Sequence, residues 1–251
     1  MKIKRRLDVV LAEKYPHLSR TMIQSFIMQG NARVNGQKNT KAGAQVEEID
    51  EVVLIIEEQK YVSRGGFKLE AALEHFKINI AGMVALDAGI STGGFTDCLL
   101  QHGARKVYGI DVGQGQVHEK IRNNSNVILL EKTNLRHLDR LSELVDIVTL
   151  DLSFISILKV MPAVVNFLKE NGSIVVLIKP QFEAERKDIR RGGIVKEDTV
   201  HKKVIEKIIT GMQTFSFYCV GVIDSPIFGA TSGNKEFLGL FIKNCSENFH
   251  N

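Results

Sequence analysis

The chain has 251 residues, 44% hydrophobic and 25% charged, with a net charge of +4, which is globular usage and excludes a disordered or collagen-like chain. No apolar run approaches the ~18 residues that span a bilayer, and no apolar segment follows the basic start as a secretory signal requires. Three scattered cysteines (Cys98, Cys219, Cys245) form no CxxC pair and the seven histidines no HxxxH pair, so no disulfide framework or metal site is expected and the compartment reads as cytoplasmic.

Charge is uneven along the chain. Residues 1–41 hold nine Lys/Arg against Asp8 and Glu13, a net +7, while the rest holds 24 basic and 27 acidic residues, a net −3. A basic head on a slightly acidic body points to a polyanion-binding module joined to a second unit. Leu7–Tyr15 reads as a short helix, and Ser19 as the N-cap of a second helix ending before Gly30. Arg33-Val34-Asn35-Gly36-Gln37 sets an Asn-Gly turn between two short strands. Val52–Ile56 reads as an apolar strand and Glu57–Tyr61 as a linker. The expected division is a small α+β domain over residues 1–58 and a larger domain over 59–251.

In the second part a helix carries Leu69, Ala72, Leu73 and Phe76 on one face. Strand signals follow at Val84–Asp87, Val107–Asp111, Val127–Glu131, Ile147–Asp151, Ile174–Lys179, Tyr218–Ile223 and Phe237–Ile242, separated mostly by helical stretches. That alternation predicts an α/β, Rossmann-like, mostly parallel seven-stranded sheet. Asp224–Lys235 leaves no room for a crossover helix, so the last strand should run antiparallel.

The segment from Leu86 to Thr96 follows the first strand of that sheet and opens a helix, the place where open α/β sheets bind ligands. It contains Asp87, Gly89, Ser91, Thr92, Gly93, Gly94 and Phe95. The dinucleotide pattern GxGxxG is absent; Gly89 and Gly93 stand four apart with an acid before them, which fits S-adenosylmethionine better than NAD. Asp87 can hold a cationic amino group, Asp111 at the end of the second strand can accept ribose hydroxyls, and Asn134 past the third can face adenine.

Four charged residues fall where this fold brings ends together: Asp151 and Lys179 close the fourth and fifth strands, Glu236 opens the last, and Lys68 sits on the preceding helix. A lysine at the end of an apolar strand is costly unless paired or neutral. An amine held there can remove a proton from a hydroxyl, which then displaces a methyl group from a sulfonium. Lys179 is the expected base, with Lys68, Asp151 and Glu236 as its electrostatic and positioning partners.

Arg6-Leu7-Asp8, Leu18-Ser19-Arg20, Gly30 and Val34-Asn35-Gly36 resemble the αL RNA-binding module of ribosomal proteins and pseudouridine synthases. The body resembles FtsJ-like 2′-O-ribose methyltransferases, whose Lys-Asp-Lys-Glu tetrad would be Lys68, Asp151, Lys179 and Glu236. The two-domain order resembles the TlyA family, through segments that include Tyr61–Lys68, Asp87–Thr96, Asp111–Gln116, Asp151–Ser156, Lys179–Glu183, Gly192–Val195 and Ser225–Phe237. The resemblance implies a class I methyltransferase sheet and S-adenosylmethionine-dependent methylation of cytidine ribose in ribosomal RNA, on free RNA or on ribosomal subunits. Arg5, Arg6, Arg20, Arg33 and Lys38, with Arg64, would grip RNA phosphates. One departure is Ile90, where a small residue is usual, which would narrow the cofactor pocket. Two other readings are a membrane-acting haemolysin, as the family's label suggests, and a non-catalytic RNA-binding protein. The first needs a membrane-inserting segment, which the sequence lacks; the second is opposed by the complete tetrad.

Overall fold

The computed structural model describes residues 4–55, 60–229 and 233–243. The chain forms two compact units, Met1–Gln59 and Lys60–Asn251.

In the first unit, β1 (Lys4–Arg6) leads into α1 (Leu7–Lys14) and α2 (Arg20–Met28). The Ser19 side chain accepts the Met22 N–H at 3.3 Å, capping α2 as expected. β2 (Ala32–Val34) and β3 (Gln37–Asn39) form a hairpin, with φ positive at both Asn35 (50°) and Gly36 (78°), the requirement of a type I′ turn. β5 (Val52–Leu54) pairs with the other side of β2. β4 (Gln45–Glu47) pairs with β1; neither strand was expected, because three exposed or alternating polar residues carry no apolar period. Leu7 and Leu11 on α1, Ile23 and Ile27 on α2, and Ala32, Val46, Val52 and Leu54 on the strands make the core. The i,i+4 spacing on each helix aligns its apolar pair toward the strands.

The apolar strand ends two residues earlier than expected: Ile55 is exposed outside it, and Ile56 lies outside the described residues, as do Glu57–Gln59 of the expected linker and Cys245. Tyr61, read as the linker's end, is instead core of the second unit; its ring is buried and its hydroxyl donates to Glu70 at 2.8 Å.

The second unit holds a seven-stranded sheet. Its strands are β6 (Val84–Ala88), β7 (Lys106–Ile110), β8 (Val127–Leu130), β9 (Val145–Leu150), β10 (Leu168–Ile178), β11 (Phe217–Asp224) and β12 (Phe237–Lys243). Their order is β11-β12-β10-β9-β6-β7-β8, and β12 runs antiparallel to both neighbours while the other pairs are parallel. Six strands therefore point one way and the last the other, as the short β11–β12 connection predicts.

Helices cover both faces: α3 (Gly65–His75), α4 (Gly94–Gln101), α5 (Glu119–Arg122), α6 (Met161–Phe167), α7 (Pro180–Glu183) and α8 (Asp198–Gln213). Strand pleating divides the core. Val84, Leu86 and Ala88 face α6 and α8 with Val148, Leu150, Ile174 and Val176, whereas Ala85, Val107, Ile147 and Val175 face α3 and α4. Among the described residues no helix is long and apolar enough to cross a membrane.

Candidate active site

β6 sits between β7 and β9, so the chain leaves it in one direction and later returns on its other side. The crevice at the carboxyl ends of β6 and β9 is thus the topological switch point where such sheets take ligands. The loop after β6 is tied to both neighbours. Gly89 N–H and Ile90 N–H donate to the Ile110 carbonyl at 2.8 and 3.1 Å, and Asp151 N–H donates to the Ala88 carbonyl at 3.0 Å. Gly89 has φ +86°, and a Cβ there would stand 2.4 Å from the Asp151 carbonyl oxygen. Glycine is needed for both reasons: the left-handed backbone and the close approach of a second main chain.

Two cavities flank this junction, sharing Gly89, Ser91, Asp151, Ser153 and Phe154. The smaller, 390 Å³, reaches Asp111 and Asn134. The Asp111 carboxylate accepts Ser91 N–H at 2.8 Å and Gly113 N–H at 2.7 Å, which fixes it while leaving lone pairs for further donors. The Asn134 side-chain oxygen accepts Arg136 N–H at 3.1 Å. Leu135, Leu152 and Ile155 supply an apolar wall. A cavity with a carboxylate at one strand end, an amide at the next and a glycine-lined entrance fits the adenosine end of S-adenosylmethionine.

Not every residue expected around the cofactor reaches a cavity. Gly89 and Ser91 line both, and Thr92, Gly94 and Phe95 line the larger one of 480 Å³. Gly93 and Asp87 line neither. Gly93 starts α4 in the left-handed conformation. Asp87 lies fully buried, its two oxygens accepting the Thr96 hydroxyl at 2.7 Å and the Thr149 hydroxyl at 3.0 Å. Burial pushes its carboxyl up to about 6 against the opposing pull of those hydroxyls. Asp87 thus braces α4 against β9 from inside, with one hydroxyl on each of its oxygens. Ile90 packs with Val117 and Ile121 over Gly109, whose missing side chain makes room for it.

The larger cavity gathers all four tetrad residues. They resolve into two ion pairs, Lys68 Nζ to Glu236 Oε2 at 2.5 Å and Lys179 Nζ to Asp151 Oδ1 at 2.5 Å. Lys179 also donates to Ser153 Oγ at 3.1 Å. The side chains of Lys68, Lys179 and Glu236 are 12%, 11% and 3% exposed, and that of Asp151 is 23% exposed. Ion pairs withdrawn this far from water gain little for stability, and such pairs cluster at functional sites. Among the described residues no group of three or more His, Cys, Asp or Glu is placed to hold a metal ion.

Phe154 stands at the rim of both cavities, 90% exposed and with φ +65°. Its ring lies 5.0 Å from that of Phe182, which lies 5.9 Å from Lys179 Nζ. An aromatic so exposed, on a strained backbone, at the rim of the cavity that holds both lysines was missed in the sequence. The signal was available: each phenylalanine follows a tetrad residue by three positions.

In the first unit the expected RNA contacts are organised around Asp8, an opposing charge in the count and the last residue of the Arg6-Leu7-Asp8 motif. Asp8 is fully buried and accepts from Arg6 Nε at 3.0 Å, Arg20 Nη2 at 3.0 Å and Gln24 Nε2 at 2.7 Å. The Arg6 guanidinium above all holds its carboxyl well below the usual range. Arg6 and Arg20 stay about half exposed. Arg5 pairs with Glu13, and Arg33 Nη1 donates to the Gly30 carbonyl at 2.8 Å. Lys38 is exposed, its stem lying across Gly30. Arg64 is exposed and lines the larger cavity of the second unit, apart from this set.

These features recur in known proteins. The S4 domain family matches residues 5–52 and the FtsJ-like methyltransferase family residues 61–242. Hemolysin A of Brachyspira hyodysenteriae is 41% identical over 94% of this chain and 99% of its own. The 16S/23S rRNA (cytidine-2′-O)-methyltransferase TlyA of Mycobacterium tuberculosis is 38% identical over 92% of this chain and 87% of its own. A solved structure of a candidate hemolysin from Streptococcus thermophilus superposes with a TM-score of 0.75 at 38% identity, covering 97% of this chain and 90% of that one. With one matched domain family in each unit and relatives that match both, the chain belongs to the TlyA family of S4-headed, FtsJ-like, S-adenosylmethionine-dependent methyltransferases.

Proposed function

We propose that this protein methylates the 2′-hydroxyl of a cytidine in ribosomal RNA, acting in the cytoplasm on RNA held by its first domain. In this reading residues 1–58 grip the RNA and residues 59–251 carry the reaction. The observation that carries it is the convergence of Lys68, Asp151, Lys179 and Glu236, as two largely buried ion pairs, on a cavity joined to the one that fits adenosine. Its support from relatives is the activity in the name of the Mycobacterium tuberculosis protein.

S-adenosylmethionine, when bound, supplies an electrophilic methyl group on sulfur. Lys179 Nζ, as the neutral amine left once its ammonium has released a proton to solvent, takes the proton of the ribose hydroxyl as that oxygen becomes a nucleophile. Asp151 and Ser153 hold Lys179 Nζ in place from two sides, which fixes the direction of the lone pair it bears when neutral. Lys68 and Glu236 form the opposite charged pair that orients the ribose. Phe154 and Phe182 offer stacking faces for the base, which must leave any helix for its ribose to enter a cavity. Arg6 and Arg20 contact phosphate, which positions RNA without selecting the nucleotide.

The test is methyl transfer from labelled S-adenosylmethionine to unmodified small and large ribosomal subunits, followed by mapping of the label. Label on a cytidine ribose is expected, and none after Lys179→Ala. A protein that binds S-adenosylhomocysteine yet labels neither subunit would overturn the reading. Turnover by Lys179→Ala would remove the base role alone.

A further inference from the structure

The loop that follows Asp151 has no regular structure until a 3-10 turn at Ile157–Lys159, and it contains the strained, exposed Phe154. The residue facing Asp151, Lys179, is followed by the single turn of α7, which ends at Glu183. Glu183 is 3% exposed, and its carboxylate is aimed back at the first loop. Oε2 accepts the Ser156 hydroxyl at 2.6 Å, and Oε1 accepts the Ile157 N–H at 2.7 Å. Lys207 on α8 lies 3.6 Å from the same carboxylate and donates to the Glu183 carbonyl at 2.6 Å.

We infer that Glu183 is a positioning residue, a buried staple that fixes the Asp151 loop to the Lys179 turn and so sets the geometry of that ion pair. A carboxylate is expensive to bury and is retained only where its bonds repay the lost hydration. Here both oxygens are spent on joining two loops that each carry one half of the pair. The far end of the Asp151 loop is held by Glu183; its near end is held by Asp151 N–H on the Ala88 carbonyl at 3.0 Å. Within α7, Phe182 N–H on the Lys179 carbonyl and Ala184 N–H on the Pro180 carbonyl, both at 2.9 Å, make the turn stiff enough to transmit the constraint. This inference rests on the proposed catalytic role of Lys179 and Asp151.

Full-length Glu183→Ala, Glu183→Gln and Ser156→Ala test it. Glu183→Ala should lower kcat about 10- to 100-fold, since misplacement of about 1 Å can cost that much. Its Kd for S-adenosylhomocysteine should stay within about twofold, because an offset between binding and turnover is what misplaced catalytic groups produce. Glu183→Gln should recover most of kcat, since a neutral amide oxygen still accepts the Ile157 N–H. Hydrogen exchange at Ser153–Ile157 should be faster in Glu183→Ala and in Ser156→Ala, an effect that measures the staple whatever the chemistry nearby. Wild-type exchange in a folded variant, a kcat unchanged in Glu183→Ala, or a glutamine variant no better than alanine would overturn the inference. Should Glu183→Ala not fold, Ser156→Ala decides: wild-type exchange and kcat overturn the staple, and faster exchange with reduced kcat supports it. Normal turnover by Lys179→Ala, with exchange still accelerated in the Glu183 variant, would sink the catalytic reading and leave the staple standing.

Discussion

Two glycines with nearly the same backbone but different surroundings separate conformational strain from close approach. Gly82 has φ +77° with nothing within 4 Å of an added Cβ, and Gly89 has φ +86° with the Asp151 carbonyl oxygen at 2.4 Å and its carbon at 3.1 Å. An alanine at either site bears the left-handed cost of about 1–2 kcal/mol, partly offset by the stiffer unfolded chain. Gly82→Ala should therefore lose about 1 kcal/mol and retain activity. Gly89→Ala meets main chain, which has no rotamer to yield. Relief to an ordinary contact of 3.4 Å means separating the ends of β6 and β9 by about 1 Å, and such overpacking adds about 1–3 kcal/mol. A total loss of about 2–4 kcal/mol is expected. The same shift carries Asp151 away from Lys179, so turnover in the folded fraction should drop by about 100-fold. Urea unfolding of both variants, with methyl transfer measured under native conditions, reads both effects. A Gly89→Ala protein no less stable than Gly82→Ala, or one with intact turnover, would refute the role given to this junction.

Asp87 should impose a pH dependence on stability. Its folded carboxyl, at about 6, binds a proton more tightly than an unfolded aspartate near 3.8, so stability falls as pH rises through that window and levels off above it. The shift corresponds to about 3 kcal/mol at pH 7, and the stability of Asp87→Asn relative to wild type should rise by up to that amount between pH 4 and 7. A flat difference in urea midpoints would refute the assignment. In the first unit, counting charge says that Asp8→Ala should tighten RNA binding, since it removes a negative group. The opposite is expected, because Arg6 and Arg20 lose the carboxylate that aligns them; weaker binding with unchanged cofactor affinity, by fluorescence anisotropy and calorimetry, checks it. Phe154→Ala should leave stability within about 0.5 kcal/mol. The loss of base stacking, worth about 1–3 kcal/mol, should reduce kcat/KM for RNA with S-adenosylhomocysteine affinity unchanged; an unaltered kcat/KM would exclude the stacking role.

The sheet could be read from the sequence because its strands are short apolar runs, and an apolar run bounded by turn residues has few other uses in a globular chain. Lys4–Arg6 and Gln45–Glu47 could not, because a three-residue strand with polar side chains exists only through its partner. The tetrad residues were legible as three charges at strand ends and one on the preceding helix, yet their division into pairs was not. Lys68 meets Glu236 across 168 residues of sequence, and which lysine takes which acid depends on where α3 crosses the sheet. Asp87 is a different case. An acid before a glycine loop suggests a ligand contact, but the pleat that sends Leu86 toward α6 and α8 sends Asp87 toward α4, where Thr96 waits. The alternation was visible in the sequence; what it faced was not.

The basic head shows most plainly why composition stops short of function. Its +7 treats every charge alike, whereas Arg5 is paired with Glu13, and Arg6 and Arg20 share Asp8. A carboxylate enclosed by two half-exposed guanidiniums leaves that trio one positive charge, but it also fixes the spacing and direction of the remaining donors. A diffuse patch of the same charge would have to order its side chains on every encounter, and each immobilised long side chain costs about 0.5–1.5 kcal/mol. Asp8 bears that ordering cost during folding, before RNA arrives. Cancelling part of the head's charge is therefore consistent with tighter binding: in the proposed function, Asp8 is the acid that would prepare Arg6 and Arg20 for RNA.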